Sequence, residues 1–188
     1  KYTKMAEMLN IAEQRNPNYP LENPFMLGDV PIQTIGEGVN AYREQEWVTL
    51  YNKVVDLIQK EKVEEAKEQI EIAILINPKM AENYSTLSAM HLKNGNINLA
   101  KLTIDQGLKL NNKNSRLYEL KADIYIQNNN LESVEELLLK SIEFSDNPGP
   151  IMRKLLFTYI DLGENKQAIE YSNDLMDKYP DDSDLYYN

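Results

Sequence analysis

The sequence predicts an all-α fold, an array of short helix–turn–helix repeats, and three observations carry that prediction. First, the marks of one stretch, Ala81 to Asn112, return when the chain is slid by 34 residues: the helix-closing Pro78 becomes Asn112, then Asp146, then Pro180. Second, the small residue opening each second helix runs Ala66, Ala100, Val134, Ala168 in the same register, and the turn glycine Gly95 has its partner at Gly163. Third, within each period apolar residues recur at i, i+3 and i+4, the spacing of one buried face of a helix. A fixed period of this length means repeated supersecondary units that stack on their neighbours.

Composition sets the bounds. The 188 residues suit one compact domain or a short solenoid, and a hydrophobic fraction of 42% supplies a core. No apolar run approaches the roughly 20 residues that span a bilayer. With 20 basic against 30 acidic residues the net charge is −10. That argues against nucleic acid and anionic membrane surfaces, both of which call for basic patches, and leaves a protein or peptide partner. The absence of cysteine excludes disulfides and thiolate chemistry and suits an exported and a cytosolic protein alike. The chain opens at Lys1, not Met, which reads as a processed or trimmed N-terminus.

Residues 1–16 predict a helix with Met5, Leu9 and Ala12 on one face, closed by Asn16-Pro17 as Asn77-Pro78 closes a repeat, and so an orphan half-repeat or cap. Residues 17–45 break the period. Pro17, Pro20, Pro24 and Pro31 with Gly28, Gly36 and Gly38 forbid a continuous helix, yet Phe25, Met26, Leu27, Val30, Ile32, Ile35 and Val39 are too apolar for a free linker. An irregular segment is expected there, either covering the end of the first repeat or lying as a lid. The chain thus divides into an N-terminal part, 1–45, and a repeat array, 46–188.

The first repeat, 47–80, has Leu50, Val54 and Leu57 on its first helix, and Val63, Ala66, Ile70, Ala73 and Ile74 on its second. Trp47 is expected to start that first helix and to pack on the 17–45 segment. Glu64, Glu65, Glu68 and Glu71 among lysines make a solvated outer face. The second repeat, 81–114, is the most regular. The third, 115–148, has Asn128, Asn129 and Asn130 where a turn glycine is usual, a substitution that tolerates left-handed backbone. Lys121 stands there at a position where an apolar residue is expected. The fourth, 149–182, takes Pro150 in its first turn, where the missing N–H is harmless. Asp181, Asp182, Ser183 and Tyr186 then begin a partial fifth first helix.

On these marks the chain resembles the tetratricopeptide repeat family over about 47–188. The resemblance implies a right-handed α–α superhelix of about four repeats, a non-catalytic role as an adaptor, and a concave groove lined by first helices that holds an extended peptide or a partner's helix. Helical geometry then nominates the groove residues, because the opposite side of each first helix packs on its own second helix. They are Tyr51 and Val55 (with Val48 and Ile58), Ser85 and Ala89, Arg116, Glu119 and Asp123, and Arg153 and Phe157. The family's clamp for a C-terminal carboxylate uses Lys and Asn where this chain has Tyr51, Val55 and Ala89, so that ligand is not expected. An apolar anchor near Tyr51 and Val55 and a basic residue near Glu119 and Asp123 define the expected peptide, bound at roughly micromolar strength. Self-assembly through open solenoid ends is the alternative.

No catalytic, cofactor or metal site is predicted. The single histidine, His91, stands where the repeat has an aromatic and reads as a core residue without a second ligand at helical spacing. Asp181, Asp182 and Asp184 lack the spacing of a calcium loop. Gly36-Glu37-Gly38 lacks the further residues of a phosphate loop and reads as a turn. Asn83-Tyr84-Ser85 matches a glycosylation acceptor but falls inside a predicted helix.

Overall fold

A computed structural model describes residues 1–127 and 133–178. Among them are nine helices and one antiparallel two-stranded hairpin, so the fold is all-α apart from that hairpin. The chain forms two compact units, Lys1–Met90 and His91–Asn188, divided within a helix. The asparagine turn at 128–130, Leu131, Pro180, the Asp181, Asp182 and Asp184 cluster and the partial helix around Tyr186 lie outside the described residues.

In the first unit the order is α1 (Tyr2–Arg15), β1 (Pro20–Leu27), β2 (Val30–Thr34), α2 (Ile35–Gln59), α3 (Val63–Ile76) and the start of α4 (Ala81–Lys93). Leu50, Val54 and Leu57 of α2 pack on Ala66, Ile70, Ala73 and Ile76 of α3, with Ala6 of α1 and Leu87 and Met90 of α4 closing the core. Of the stripe residues read from the sequence, Leu50, Val54, Leu57, Ala66, Ile70 and Ala73 are buried and Val63 and Ile74 half-buried, while on α1 Met5, Leu9 and Ala12 are half-buried and Ala6 is the buried one.

The segment read as irregular over 17–45 instead holds regular structure, a hairpin and the first turns of α2. β1 and β2 pair with Phe25 opposite Ile32, Met26 opposite Pro31 and Leu27 opposite Val30, with an irregularity between Pro20 and Phe25. The prolines that forbid a helix are admitted because both strands of a two-stranded sheet are edges, where a missing N–H costs no ladder bond. Gly28 takes the turn at φ +59°. Of the segment's apolar residues, Ile32 and Val39 are buried, while Phe25, Met26, Leu27 and Val30 are exposed.

α2 begins twelve residues before the position expected for the first repeat, because a capping box starts it. Thr34 Oγ1 accepts from Glu37 N at 3.3 Å, and Glu37 Oε2 accepts from Thr34 N at 3.0 Å and Gln33 N at 2.7 Å. These main-chain bonds hold the Glu37 carboxyl below its ordinary range. Gly36-Glu37-Gly38 is therefore the first turn of a helix. Gly36 N donates to Pro17 O at 2.7 Å, and a Cβ on Gly36 would stand 2.9 Å from that oxygen, so the site requires glycine.

One further expectation changes in detail. Trp47 lies in the middle of α2, stacks on Tyr51 with ring centroids 5.2 Å apart, and donates Nε1 to Asn83 Oδ1 at 2.7 Å. Asn83 is fully buried and donates to Asn77 O at 3.1 Å, which withdraws the glycosylation triplet from solvent in the folded chain. Arg43 of α2, 2% exposed, donates to Ile76 O and, at 2.7 Å, to Asn10 Oδ1, tying α1 to the carbonyl end of α3.

The second unit continues through α5 (Ile97–Leu110), α6 (Ser115–Gln127), α7 (Val134–Glu143), α8 (Gly149–Asp161) and α9 (Asn165–Lys178). Its core joins Ala122, Val134, Leu138, Ile151, Leu155, Tyr159 and Ala168. Tyr159 donates its hydroxyl to Glu135 Oε1 at 2.8 Å; burial first, then that carboxylate, push its acidity down. Lys121 is half-buried and pairs with Asp105 Oδ1 at 2.9 Å, which accounts for a charge at an apolar position. His91 is 7% exposed, as a core residue is.

The 34-residue period is visible bond by bond. Glu61, Gly95 and Gly163 all have positive φ, at 59°, 73° and 73°. In each, the positive-φ N–H donates to the carbonyl three residues back and the next N–H to the carbonyl five back. This is the paired-bond helix terminator, which favours glycine at its left-handed residue.

Candidate functional site

The first unit presents an apolar row on α2. Val48, Tyr51, Val55 and Ile58 follow i, i+3, i+7, i+10 and share one face. Val48, Val55 and Ile58 are 44%, 39% and 43% exposed, against the 3% and 0% of Leu50 and Val54 on the buried side. Tyr51 is half-buried, with its hydroxyl 2.9 Å from Thr86 Oγ1 of α4 and its ring on Trp47. Ala89 of α4 is half-buried. Ser85 is buried and donates to Glu82 O at 3.0 Å, so its hydroxyl already serves its own helix. Of the six nominated residues in this unit, Val48, Val55 and Ile58 are the accessible ones.

The second unit presents a charged face. Lys154 Nζ of α8 donates to Glu119 Oε1 at 2.6 Å and Asp123 Oδ1 at 2.9 Å, both on α6, and Arg116 completes the set on the other oxygen of Glu119. Burial alone would raise the Glu119 carboxyl, but the hydrogen bonds from Lys154 and Arg116, with their charges, outweigh it and hold it below its ordinary range. Burial would likewise lower Lys154; its bonds to Asp123 and Glu119 win and raise it. Two carboxylates face two cations, so the patch is locally neutral. A basic ligand residue would compete with Lys154 for these oxygens.

Sequence reasoning passed over Lys154. It follows Glu119 by 35 residues, the separation across which Tyr51 also bonds to Thr86. Arg153 is half-buried and Phe157, on the same face of α8, is 46% exposed. A separate apolar concavity of about 650 Å³ lies in the first unit between α1 and α2, floored by Met5, Met8, Leu9, Ala12 and Tyr42, with Lys1 and Lys4 also lining it. Among the described residues no group of three or more His, Cys, Asp or Glu is placed to hold a metal ion, and no helix is long and apolar enough to cross a membrane.

Comparison with known proteins follows the same lines. A family model described as tetratricopeptide repeat matches residues 115–148, the third period of the sequence. No curated protein sequence matches the chain. Among solved structures, pilF of Pseudomonas aeruginosa superposes with a TM-score of 0.67 at 16% identity, over 76% of this chain. The chain spans 65% of that protein, less than two thirds of its length. TTC0263, a thermophilic TPR protein of Thermus thermophilus, gives 0.64 at 17% identity over 81% of this chain and 84% of its own. The Yersinia enterocolitica type III secretion chaperone SycD, solved with a peptide of the translocator YopD, gives 0.55 at 18% identity over 62% of this chain and 95% of its own. At such identities the likeness is one of fold. The third period is thus matched as a tetratricopeptide repeat, helix terminators recur at 34-residue steps at Glu61 and Gly95 and again at Gly163, and the chain shares its fold with tetratricopeptide repeat proteins.

Proposed function

We propose that the chain is a non-catalytic protein-interaction scaffold whose first-helix faces hold an extended peptide or partner segment. The observation that carries this reading is the row Val48, Val55 and Ile58 on α2, three aliphatic side chains each more than a third exposed along one helical face. Aliphatic groups left in water at helical spacing gain free energy when a partner covers them, about 25 cal/mol for each Å² removed from water. The chaperone SycD, with the same fold, was solved with a bound peptide, which supports the general mode. The ligand's apolar anchor belongs on the α2 row. On the second unit's own face, a basic ligand residue competes with Lys154 for Glu119 and Asp123.

Selection from a random peptide library, followed by titration calorimetry of the winners, tests this. Peptides with apolar anchors should bind at roughly micromolar strength and weaken more than tenfold in Val55→Glu/Ile58→Glu. Winners indifferent to that change would remove α2 as the binding face. Because Glu119 and Asp123 hold Lys154, reversing their charge would test the ion network before it tested binding, so the experiment uses α2.

Self-assembly is the second reading, favoured by Met8 and Ile11 of α1, which are 63% and 50% exposed. Sedimentation velocity over a concentration series separates the two: a monomer throughout discards it, and a dimer abolished by Met8→Glu/Ile11→Glu sustains it.

A further inference from the structure

The outward face of α5 departs from the chain's own repeat. At the 34-residue spacing, Leu99 and Leu102 correspond to Glu65 and Glu68 of α3, to Ser133 just before α7 and Glu136 within it, and to Gln167 and Glu170 of α9. The other three second helices carry polar or acidic side chains where α5 carries leucine. Leu99, Leu102 and Leu110 are 48%, 57% and 46% exposed. With Gln106 they follow i, i+3, i+7, i+11, a stripe down one side of the helix about 16 Å long.

Charge marks the same helix. The chain carries a net −10, and the matching stretch of α3 exposes Glu64, Glu65, Glu68 and Glu71. α5 has one acid, Asp105, already held by Lys121. Lys101 and Lys109 are exposed and form no ion pair among the described residues. A leucine stripe with uncompensated lysines thus stands on an otherwise acidic chain.

We propose that this face of α5 is a second docking surface, separate from the first-helix faces, and that its occupant is an amphipathic helix whose apolar stripe is bordered by Glu or Asp. A helix laid along α5 covers the three leucines and brings its acids to Lys101 and Lys109. The charge pattern selects against a second copy of the same face: antiparallel pairing of two α5 helices sets Lys101 of one copy towards Lys109 of the other. It also selects against anionic lipid as the main occupant, since the surrounding chain is acidic.

The probe is a fluorescein-labelled synthetic helix of 18 residues with leucines at i, i+3, i+7, i+11 and glutamates on both flanks, read by fluorescence anisotropy. A counterpart carries lysines in place of the glutamates. The chain should bind the glutamate probe at least tenfold more tightly than the lysine probe. Leu99→Glu/Leu102→Glu should abolish that binding, and Lys101→Glu/Lys109→Glu should invert the preference, while Leu75→Glu on α3 changes neither. Circular dichroism checks each fold, with Leu102→Gln as the milder substitute. Equal binding of the two probes, or glutamate-probe binding that survives Leu99→Glu/Leu102→Glu, overturns the proposal. So does binding to phosphatidylglycerol vesicles, or a dimer in sedimentation velocity, that is lost in those same leucine variants, since either assigns the stripe to another occupant.

Discussion

The hydroxyl of Tyr84 in α4 donates to the main-chain oxygen of Pro78 across 2.9 Å. One period later Tyr118 in α6 donates to Asn112 O at the same distance. Each bond ties the start of a first helix to the carbonyl just beyond the preceding second helix, where acceptors lack partners within the helix. Burial raises the Tyr84 hydroxyl, which remains a donor at every physiological pH. Tyr84→Phe removes the donor and leaves the carbonyl unpaired, so it should cost about 1–2 kcal/mol in urea unfolding. Tyr118→Phe, at an exposed bond, should cost less.

Glu61 occupies the left-handed position that Gly95 and Gly163 occupy at the corresponding turns. A side chain there carries a steric cost that glycine avoids. Glu61→Gly should therefore raise stability by about 1 kcal/mol, offset in part by the greater freedom of glycine in the unfolded chain. Thermal melting by circular dichroism would register the gain, and a lowered Tm would show that the Glu61 side chain has a stabilising contact of its own.

The Glu119 carboxyl is more acidic folded than unfolded, so its stabilising share is complete above the ordinary carboxylate value of about 4.3 and is lost as pH falls through the lower folded value. Urea melts of wild type and Glu119→Gln should differ by on the order of 1 kcal/mol at neutral pH and draw together as pH falls below the ordinary carboxylate range. Lys154→Met should weaken the same pH dependence, leaving the share that Arg116 holds. A constant difference from neutral pH to pH 3 would mean that packing, not charge, distinguishes the variant.

Arg43 is almost wholly buried, and its guanidinium reaches Ile76 O, Asn10 and Glu13 together. Arg43→Met strands these acceptors and should cost about 2–4 kcal/mol. Arg43→Lys should recover only part, because an ammonium cannot fork between a carbonyl and an amide. Amide exchange would locate the effect: protection should fall first in α1.

The repeats were legible because their signals are redundant. Ala66, Ala100, Val134 and Ala168 mark the same close helix contact, and Gly95 and Gly163 the same turn. Where a signal was single or unfamiliar, it was missed. Glu61 hides the first turn because a glutamate does not advertise positive φ. The hairpin at 20–34 was hidden by its prolines, which bar a helix and are tolerated on the edge strands that replace it. Lys154 was passed over, since nothing local shows that two carboxylates stand one helix away. Ser85 and Ala89 were nominated by the same geometry as Val55, but that geometry does not register how much of each face a neighbouring helix covers.

The 25 residues of α2 extend about 37 Å from the hairpin to the first repeat turn, without a proline or any break in the helix. α2 therefore works as a stiff lever. Its outer arm, 35–46, is anchored by Gly36 against Pro17 and by Arg43 against the end of α3, while its inner arm carries the aliphatic row. A load placed on the hairpin is carried to the first repeat through one continuous helix. Occupancy of the repeat face should thus be audible at the hairpin: a spin label at Asp29 would report a peptide bound some tens of ångströms away.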